Sequence, residues 1–188
     1  MEKTKDSEID FEIIRQIKDG DSSAFRKLVD RHKDKSFSLA CSILQNEHDA
    51  EDVLQECFIK AFKGLKSFRF QSTFATWFYK ILINTCNTEL THRQRIHKLY
   101  TDEKSSLEIA NNDTGHNTIL NKELGSIINN CIDSLSTNEA LLLRLFYISE
   151  LSLNEIKELT GFKDSKIRVT LHRARKHFQE VYEARYNG

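Results

Sequence analysis

Between residues 59 and 98 positive charge is interleaved with aromatic rings: Lys63, Lys66, Arg69, Lys80, Arg93, Arg95 and Lys98 alternate with Phe68, Phe70, Phe74, Trp77, Phe78 and Tyr79. This mixture suits one unpaired nucleic-acid strand, whose bases offer faces for stacking and whose phosphates need neutralising. Extruding a base into a small pocket is a related use, the lost stacking being partly offset by new contacts. Helical spacing gives Phe74, Trp77, Phe78 and Ile81 a core role. Phe68, Phe70 and Asn84 are less bound to that stripe and are the better candidates for contact.

A second basic cluster occupies residues 162–178. Ile167, Leu171, Ala174 and Phe178 recur at helical spacing and commit one stripe to a core, which leaves Lys166, Arg168, Thr170, Arg173, Lys176 and His177 on other faces. The first half of a recognition helix meets base edges in the major groove, so Lys163, Ser165, Lys166, Val169 and Thr170 are the candidates to read sequence. Arg168, Arg173, Arg175 and Lys176 are better placed for phosphates, which orient the helix without specifying sequence. A solvated basic face on an unrelated bundle is the plain alternative. Against it stand the capped short helix and the glycine turn just upstream.

A third cluster is acidic. Glu47, Asp49, Glu51, Asp52 and Glu56 lie at or near the first turns of a strongly patterned helix, where carboxylates are favoured by the helix dipole. Three of them, Asp49, Asp52 and Glu56, could hold a metal, but the dipole is the simpler explanation and no cofactor or metal is expected. The histidines His32, His48, His92, His97, His116, His172 and His177 form neither an HExxH nor a cluster with cysteine. No phosphate-binding glycine loop and no supported nucleophile motif is present, so enzymatic chemistry is not expected.

The composition frames these clusters. The chain has 188 residues, no proline and only 6 glycines, so the two strongest helix breakers are nearly absent. Its 28 basic and 28 acidic residues cancel, but the cancellation is an average over unlike segments. Residues 1–56 carry a net of −5, residues 59–98 a net of +7 and residues 162–178 a net of +5. Two separated positive patches fit phosphate contact at two places. The acidic remainder can face a basic protein partner or keep the chain soluble. Cys41, Cys57, Cys86 and Cys131 include no CxxC pair and read as buried free thiols of a reducing compartment. Without a signal-like start or an apolar run of roughly 18 residues, the expected location is cytoplasmic with no membrane insertion.

Helices must position all three clusters. Phe11, Ile13, Ile14 and Ile17 predict a short helix ending near Asp19-Gly20. Asp21 or Ser22 can cap the next, which runs through Phe25, Leu28, Phe37 and Leu44 as one helix or two in series. Asn46, with Asp49 three residues on, opens the acidic helix, whose broad apolar face comprises Val53, Leu54, Cys57, Phe58, Ala61, Phe62 and Leu65. Residues 66–71 break the pattern, and Ser72 or Thr73 caps a helix reaching Leu90 or beyond. Few apolar residues follow between 101 and 121. The capping boxes Ser136/Glu139 and Ser152/Glu155 then start two helices, and Thr160-Gly161-Phe162 turns the chain into the last. The expected fold is all-α: a helical domain at 10–98, a flexible linker at 99–119 and a helix-turn-helix domain at 120–186.

The runs FRKLVDRHKDKSFSLACSILQNEHDAEDVLQECFIKAFKGLKSFRFQSTFATWFYKILINTCNTEL and CIDSLSTNEALLLRLFYISELSLNEIKELTGFKDSKIRVTLHRARKHF carry a family resemblance. The chain resembles the extracytoplasmic-function, or group IV, sigma factors of bacterial RNA polymerase. DAEDVLQECFIKAF followed by FxTWFYKILxN is the specific part, and HRAR agrees with it. The resemblance implies that the first domain binds the clamp of core RNA polymerase and recognises and melts the −10 promoter element. The second would bind the polymerase flap and set its last helix in the −35 element.

Carried onto this chain, the polymerase surface would be Asp49, Asp52, Val53, Gln55, Glu56 and Phe58. The −10 and single-strand surface would be Lys63, Lys66, Phe68, Arg69, Phe70, Gln71, Ser72, Thr73, Lys80 and Asn84. The −35 duplex would meet Lys163, Ser165, Lys166, Arg168, Val169, Thr170, Arg173, Arg175 and Lys176. An anti-sigma factor is a further partner of this class. The chain departs from the family pattern at Leu135-Ser136, where Leu-Pro is usual, at Lys163, where a serine often opens the last helix, and at Arg168-Val169-Thr170, where Lys-Ser-Arg is usual. Asp164 can replace the lost serine cap, whereas Thr170 in place of arginine weakens phosphate contact. A free-standing helix-turn-helix regulator is the competing reading from the residues, and a purely structural bundle is a third.

Overall fold

The computed structural model describes the backbone of residues 2–101 and 119–186 and the side chains of residues 6–96 and 124–186. The chain divides into two compact units, residues 1–106 and 107–188. Among the described residues there are eight α-helices and no strand. Most of the linker expected at 99–119 lies outside the described residues, as do the side chains of Lys98, His97 and His116.

In the first unit α1 spans Glu2–Lys18 and α2 spans Phe25–Leu44. The first helix starts well before the apolar group at Phe11, and a buried carboxylate accounts for the added length. Asp10 is 3% exposed; it accepts from Arg31 Nε of α2 at 2.8 Å, and His32 Nε2 lies 2.8 Å from its other oxygen. Asp6, one turn earlier, takes Arg31 Nη2 at 2.9 Å. A charged, bonded anchor of this kind leaves no mark on an apolar pattern. Gly20, at φ +113, supplies the left-handed residue that ends α1, and Asp21 then caps a short 3₁₀ turn through Ser23 N at 3.1 Å.

The second helix is continuous, and Gln45 in the left-handed region stops it. Asn46 caps α3, Glu47–Gly64, by accepting from Asp49 N at 3.1 Å. Only Gln45 and Asn46 separate α2 from α3, and the two helices pack against each other. A 3₁₀ turn at Leu65–Ser67 leads to an irregular stretch, and Thr73 caps α4, Phe74–Thr101, by accepting from Thr76 N at 3.1 Å. The core of this unit is aromatic in the middle: Phe58, Phe74 and Phe78 stack at centroid distances of 4.6 and 5.7 Å. The Trp77 ring packs so closely over Gly64 that a β-carbon there would lie 3.1 Å from it.

In the second unit α5 spans Ile119–Asp133 and α6 spans Thr137–Leu143, continuing into a π-helical turn at Arg144–Ile148. α7 covers Leu153–Thr160 and α8 covers Asp164–Tyr186. Both capping boxes form, with Ser136 N bonded to Glu139 at 3.2 Å and Ser152 N to Glu155 at 2.8 Å. Gly161 takes φ +70 and closes α7 through its N–H to Lys157 O at 2.8 Å. Asp164 is the first residue of α8 rather than its cap, and its carboxylate meets Lys157 at 3.4 Å. Arg144 is buried and pairs with Asp133, which ties the π turn to the end of α5.

The four cysteines are free, and all but Cys41 are buried. Burial pushes the Cys41 and Cys86 thiols up to about 12 and raises those of Cys57 and Cys131 as well. They are protonated, packed side chains rather than nucleophiles.

Candidate nucleic-acid and partner interfaces

The outward face of α3 is acidic and then apolar. Asp52, Gln55, Glu56, Ile59 and Phe62 follow one another at helical steps and are exposed, Ile59 by 49% and Phe62 by 41%. Asp52 is paired within the helix to His48 at 3.4 Å and Glu56 to Lys60 at 2.8 Å, both on open surface where such pairs hold weakly. Three of the expected partner-contacting residues are placed differently. Val53 and Phe58 are buried, the latter against Phe25 and Phe78, so they support the face instead of forming it. Asp49 is tied to Arg93 of α4. Phe62, expected in the core, packs edge-on against Phe25 at 5.0 Å with part of its ring in solvent.

The loop between α3 and α4 gathers the single-strand candidates. Spacing makes Phe68 a contact candidate, but it is 5% exposed and lies among Phe11, Phe70 and Trp77. The neighbouring Phe70 is half-buried and sits at φ +57. Its ring is met edge-on by Phe11 at 5.3 Å, with Arg15 and Lys18 of α1 at 5.8 and 5.0 Å from its centroid. Lys18 also donates to Phe68 O at 2.6 Å. Spacing along residues 59–98 could not reveal α1 in this place, because Arg15 and Lys18 are fifty or more positions from Phe68 and Phe70.

Lys63, Lys66, Arg69, Gln71, Lys80 and Asn84 are exposed. The four cations among them have no ion-pair partner among the described residues. Ser72 and Thr73 are half-buried, Thr73 being engaged as the cap of α4. Arg93 leaves the basic patch by pairing with Asp49 and with Glu89 at 3.1 Å.

On α8 the apolar stripe Ile167, Leu171 and Ala174 is buried. Lys166, Val169, Arg173 and Lys176 share the face turned away from it, Val169 being 50% exposed, whereas Thr170 is half-buried at the edge of the stripe. Lys166 is held with Nζ 3.6 Å above the Phe162 ring of the turn. Lys163 and Ser165 are exposed at the start of the helix. Arg168 and Arg175, two turns apart, lie on another side. Arg175 donates to Tyr147 Oη at 2.8 Å and lies over the Phe146 and Tyr147 rings, so this expected phosphate ligand is engaged within the unit. It borders a cleft of about 280 Å³ whose apolar walls include Ile128, Ile132, Leu143 and Phe178.

His177 Nδ1 lies 3.0 Å from Glu139, the capping carboxylate of α6. The Glu139 carboxyl is held below its ordinary value, first by the Ser136 hydroxyl and also by the Ser136 N–H and His177. Among the described residues no His, Cys, Asp or Glu group is arranged to hold a metal ion, and no helix is long and apolar enough to cross a membrane.

Comparison with known proteins gives matches in both units. Residues 28–96 match the sigma-70 region 2 family and residues 126–178 match sigma-70 region 4. The chain is 33% identical over 171 residues to the ECF RNA polymerase sigma factor SigW of Bacillus subtilis, covering 86% of this chain and 90% of that protein. It is 31% identical to the ECF RNA polymerase sigma-E factor of Escherichia coli, covering 87% and 88%. The sigma factor RpoE of Bartonella quintana, solved in complex with the anti-sigma factor NepR, shares the fold at a TM-score of 0.67 and 20% identity, covering 86% of this chain and 98% of that one.

Proposed function

The chain belongs to the extracytoplasmic-function sigma factors of the sigma-70 family, and from that premise we propose how its surfaces divide the work of promoter recognition. It directs core RNA polymerase to specific promoters and assists their melting. The outward face of α3, with Asp52, Gln55, Glu56, Ile59 and Phe62, binds core polymerase. The loop at residues 66–73, with Lys63, Lys80 and Asn84, holds the opened −10 strand. The exposed face of α8 reads the −35 duplex through Lys163, Ser165, Lys166 and Val169, with Thr170 at its edge, while Arg173 and Lys176, and Arg168 from another side of the helix, hold phosphates. The apolar cleft beside Arg175 receives a second protein contact, from the polymerase flap.

One observation carries this division: an exposed acidic and apolar helix face and an unpaired basic, aromatic loop are built on the same unit. Acidic and apolar groups suit a protein partner, and cations beside a ring suit a single strand. Such a protein needs no covalent chemistry. It lowers the cost of opening by binding bases once they are unstacked, and it acts where polymerase acts, in the cytoplasm. By likeness to the Bartonella protein, an anti-sigma factor is a further partner. A free-standing helix-turn-helix regulator is not favoured, since the curated relatives are sigma factors.

Transcription in vitro with core enzyme on a randomised promoter library tests the reading. The expected outcome is enrichment of a two-part promoter, with free DNA binding weak until core enzyme is added. A purified chain that does not associate with core polymerase, or that binds a two-fold symmetric duplex tightly by itself, would rule it out.

A further inference from the structure

We propose that α1 is part of the single-strand surface: Arg15 and Lys18 contact phosphates of the opened strand while one of its bases stacks on the exposed part of the Phe70 ring. The inference rests on the reading that the loop at residues 66–73 holds opened DNA, and it adds a helix outside the segment matched to sigma-70 region 2, residues 28–96.

The position of α1 is set from inside. Ile13 and Ile14 are buried, and Asp10 is bonded on both oxygens to α2. One flank of the same helix, carrying Phe11, Arg15 and Lys18, then lies beside the loop. There Phe70 is held in a left-handed backbone conformation that a bulky residue rarely adopts, with Phe11 and Phe68 fixing its ring. Strain kept in place by surrounding packing is a feature of ligand clamps.

The two cations beside that ring are not used up by the fold. The Arg15 side chain is 62% exposed, and among the described residues its one carboxylate partner is Glu12 at 3.3 Å. Lys18 spends one of its three donors on Phe68 O and has two left. Arg69, the residue between Phe68 and Phe70, is exposed without an ion-pair partner among the described residues. Two cations beside a half-exposed aromatic ring repel one another, with exposed Arg69 next to that ring in sequence, and an anion between them relieves the repulsion. A nucleotide brings that anion together with a flat apolar face of the kind the ring accepts.

The test uses the full chain bound to core polymerase and a fork-junction promoter whose non-template −10 strand is unpaired, with affinity measured across a salt series. Neutralising an ammonium or guanidinium that meets a phosphate should lower the slope of log K against log salt by about 0.7 for each contact on a single strand. Arg15→Gln and Lys18→Gln should each show that decrease, with binding several-fold weaker at low salt, and the double variant should show about twice it. Lys18→Arg should restore the slope. Arg15 serves as the variant whose exposed position leaves folding untouched.

Unchanged slopes in both single variants would overturn the proposal, and so would a loss of affinity for core polymerase without DNA, which would assign α1 to the protein partner. If the parent holoenzyme does not prefer the unpaired −10 strand over a paired one, the reading of the loop itself falls. Slopes that fail to change on a parent that does prefer it remove only α1.

Discussion

The loop at residues 66–73 and the exposed face of α8 both set positive charge beside groups able to touch a base, yet they are constructed in different ways. α8 presents its face from a single helix: once Ile167, Leu171 and Ala174 are buried, the outward direction of Val169 and Arg173 follows from helical geometry. The loop is assembled. Phe68 is withdrawn into the core, Phe70 is left half out, and α1 contributes Arg15 and Lys18 from far away in the chain. A face presented by one helix should change side chain by side chain. An assembled face should depend on the packing beneath it.

The largest test of that difference is Phe78→Ala. Phe78 is fully buried and stacks on Phe58 and Phe74, so its loss should cost about 3–5 kcal/mol. In a thermal melt of the full chain the transition of the first unit should fall while that of the second stays in place. If both transitions move together, the two faces do not depend on separate cores and the comparison fails.

Charge reversal on α3 comes next in size. Asp52→Lys with Glu56→Lys should weaken association with core polymerase by about 100-fold, because juxtaposed like charges at an interface cost several kcal/mol. Duplex binding through α8 should be unaffected. Equal losses in both assays would mean that the acidic face is not a separate surface.

On α8 itself, Arg173→Ala should weaken duplex binding about tenfold for all sequences alike and lower the salt slope by about 0.9. Arg175→Ala, two positions on, should change DNA affinity little and instead lower the stability of the second unit by about 1 kcal/mol, since its hydrogen bond and ring contacts are internal. Filter binding and melting of the two variants side by side would show whether the helix faces are divided in this way.

The smallest expected effect is on pH. The Glu139 carboxyl is held below its ordinary 4.5, so its charged form is favoured by folding. The stabilisation is present above that value and is lost as pH falls from 4.5 through the lower value in the folded protein. Glu139→Gln should therefore flatten the acid limb of the second unit's stability curve. An unchanged limb would show that another carboxylate governs it.

Much of the helical framework was legible because its signals are local. Asn46, Thr73, Ser136 and Ser152 each bond a backbone N–H two or three residues on or take part in a capping box, and Gly161 turns the chain where a side chain would be strained. The buried stripe of α8 was legible for the same reason. The bounds that moved are at the ends of the first unit: α1 begins early, with Asp6 and Asp10 bonded to α2, and α4 runs to Thr101, beyond the expected end of its domain.

The amino-acid order by itself determined that this chain is helical, that charge is divided into one acidic and two basic segments, and which face of α8 is free. Those properties depend on neighbours within a turn or two. Tertiary structure alone decided that Phe68 is core and Phe70 is not, that Arg93 answers Asp49, that Arg175 serves Tyr147, and that α1 borders the loop. Each of these joins residues at least two positions and up to about sixty apart, and a periodic pattern carries no information about which distant group a charge or ring will meet once the core has closed.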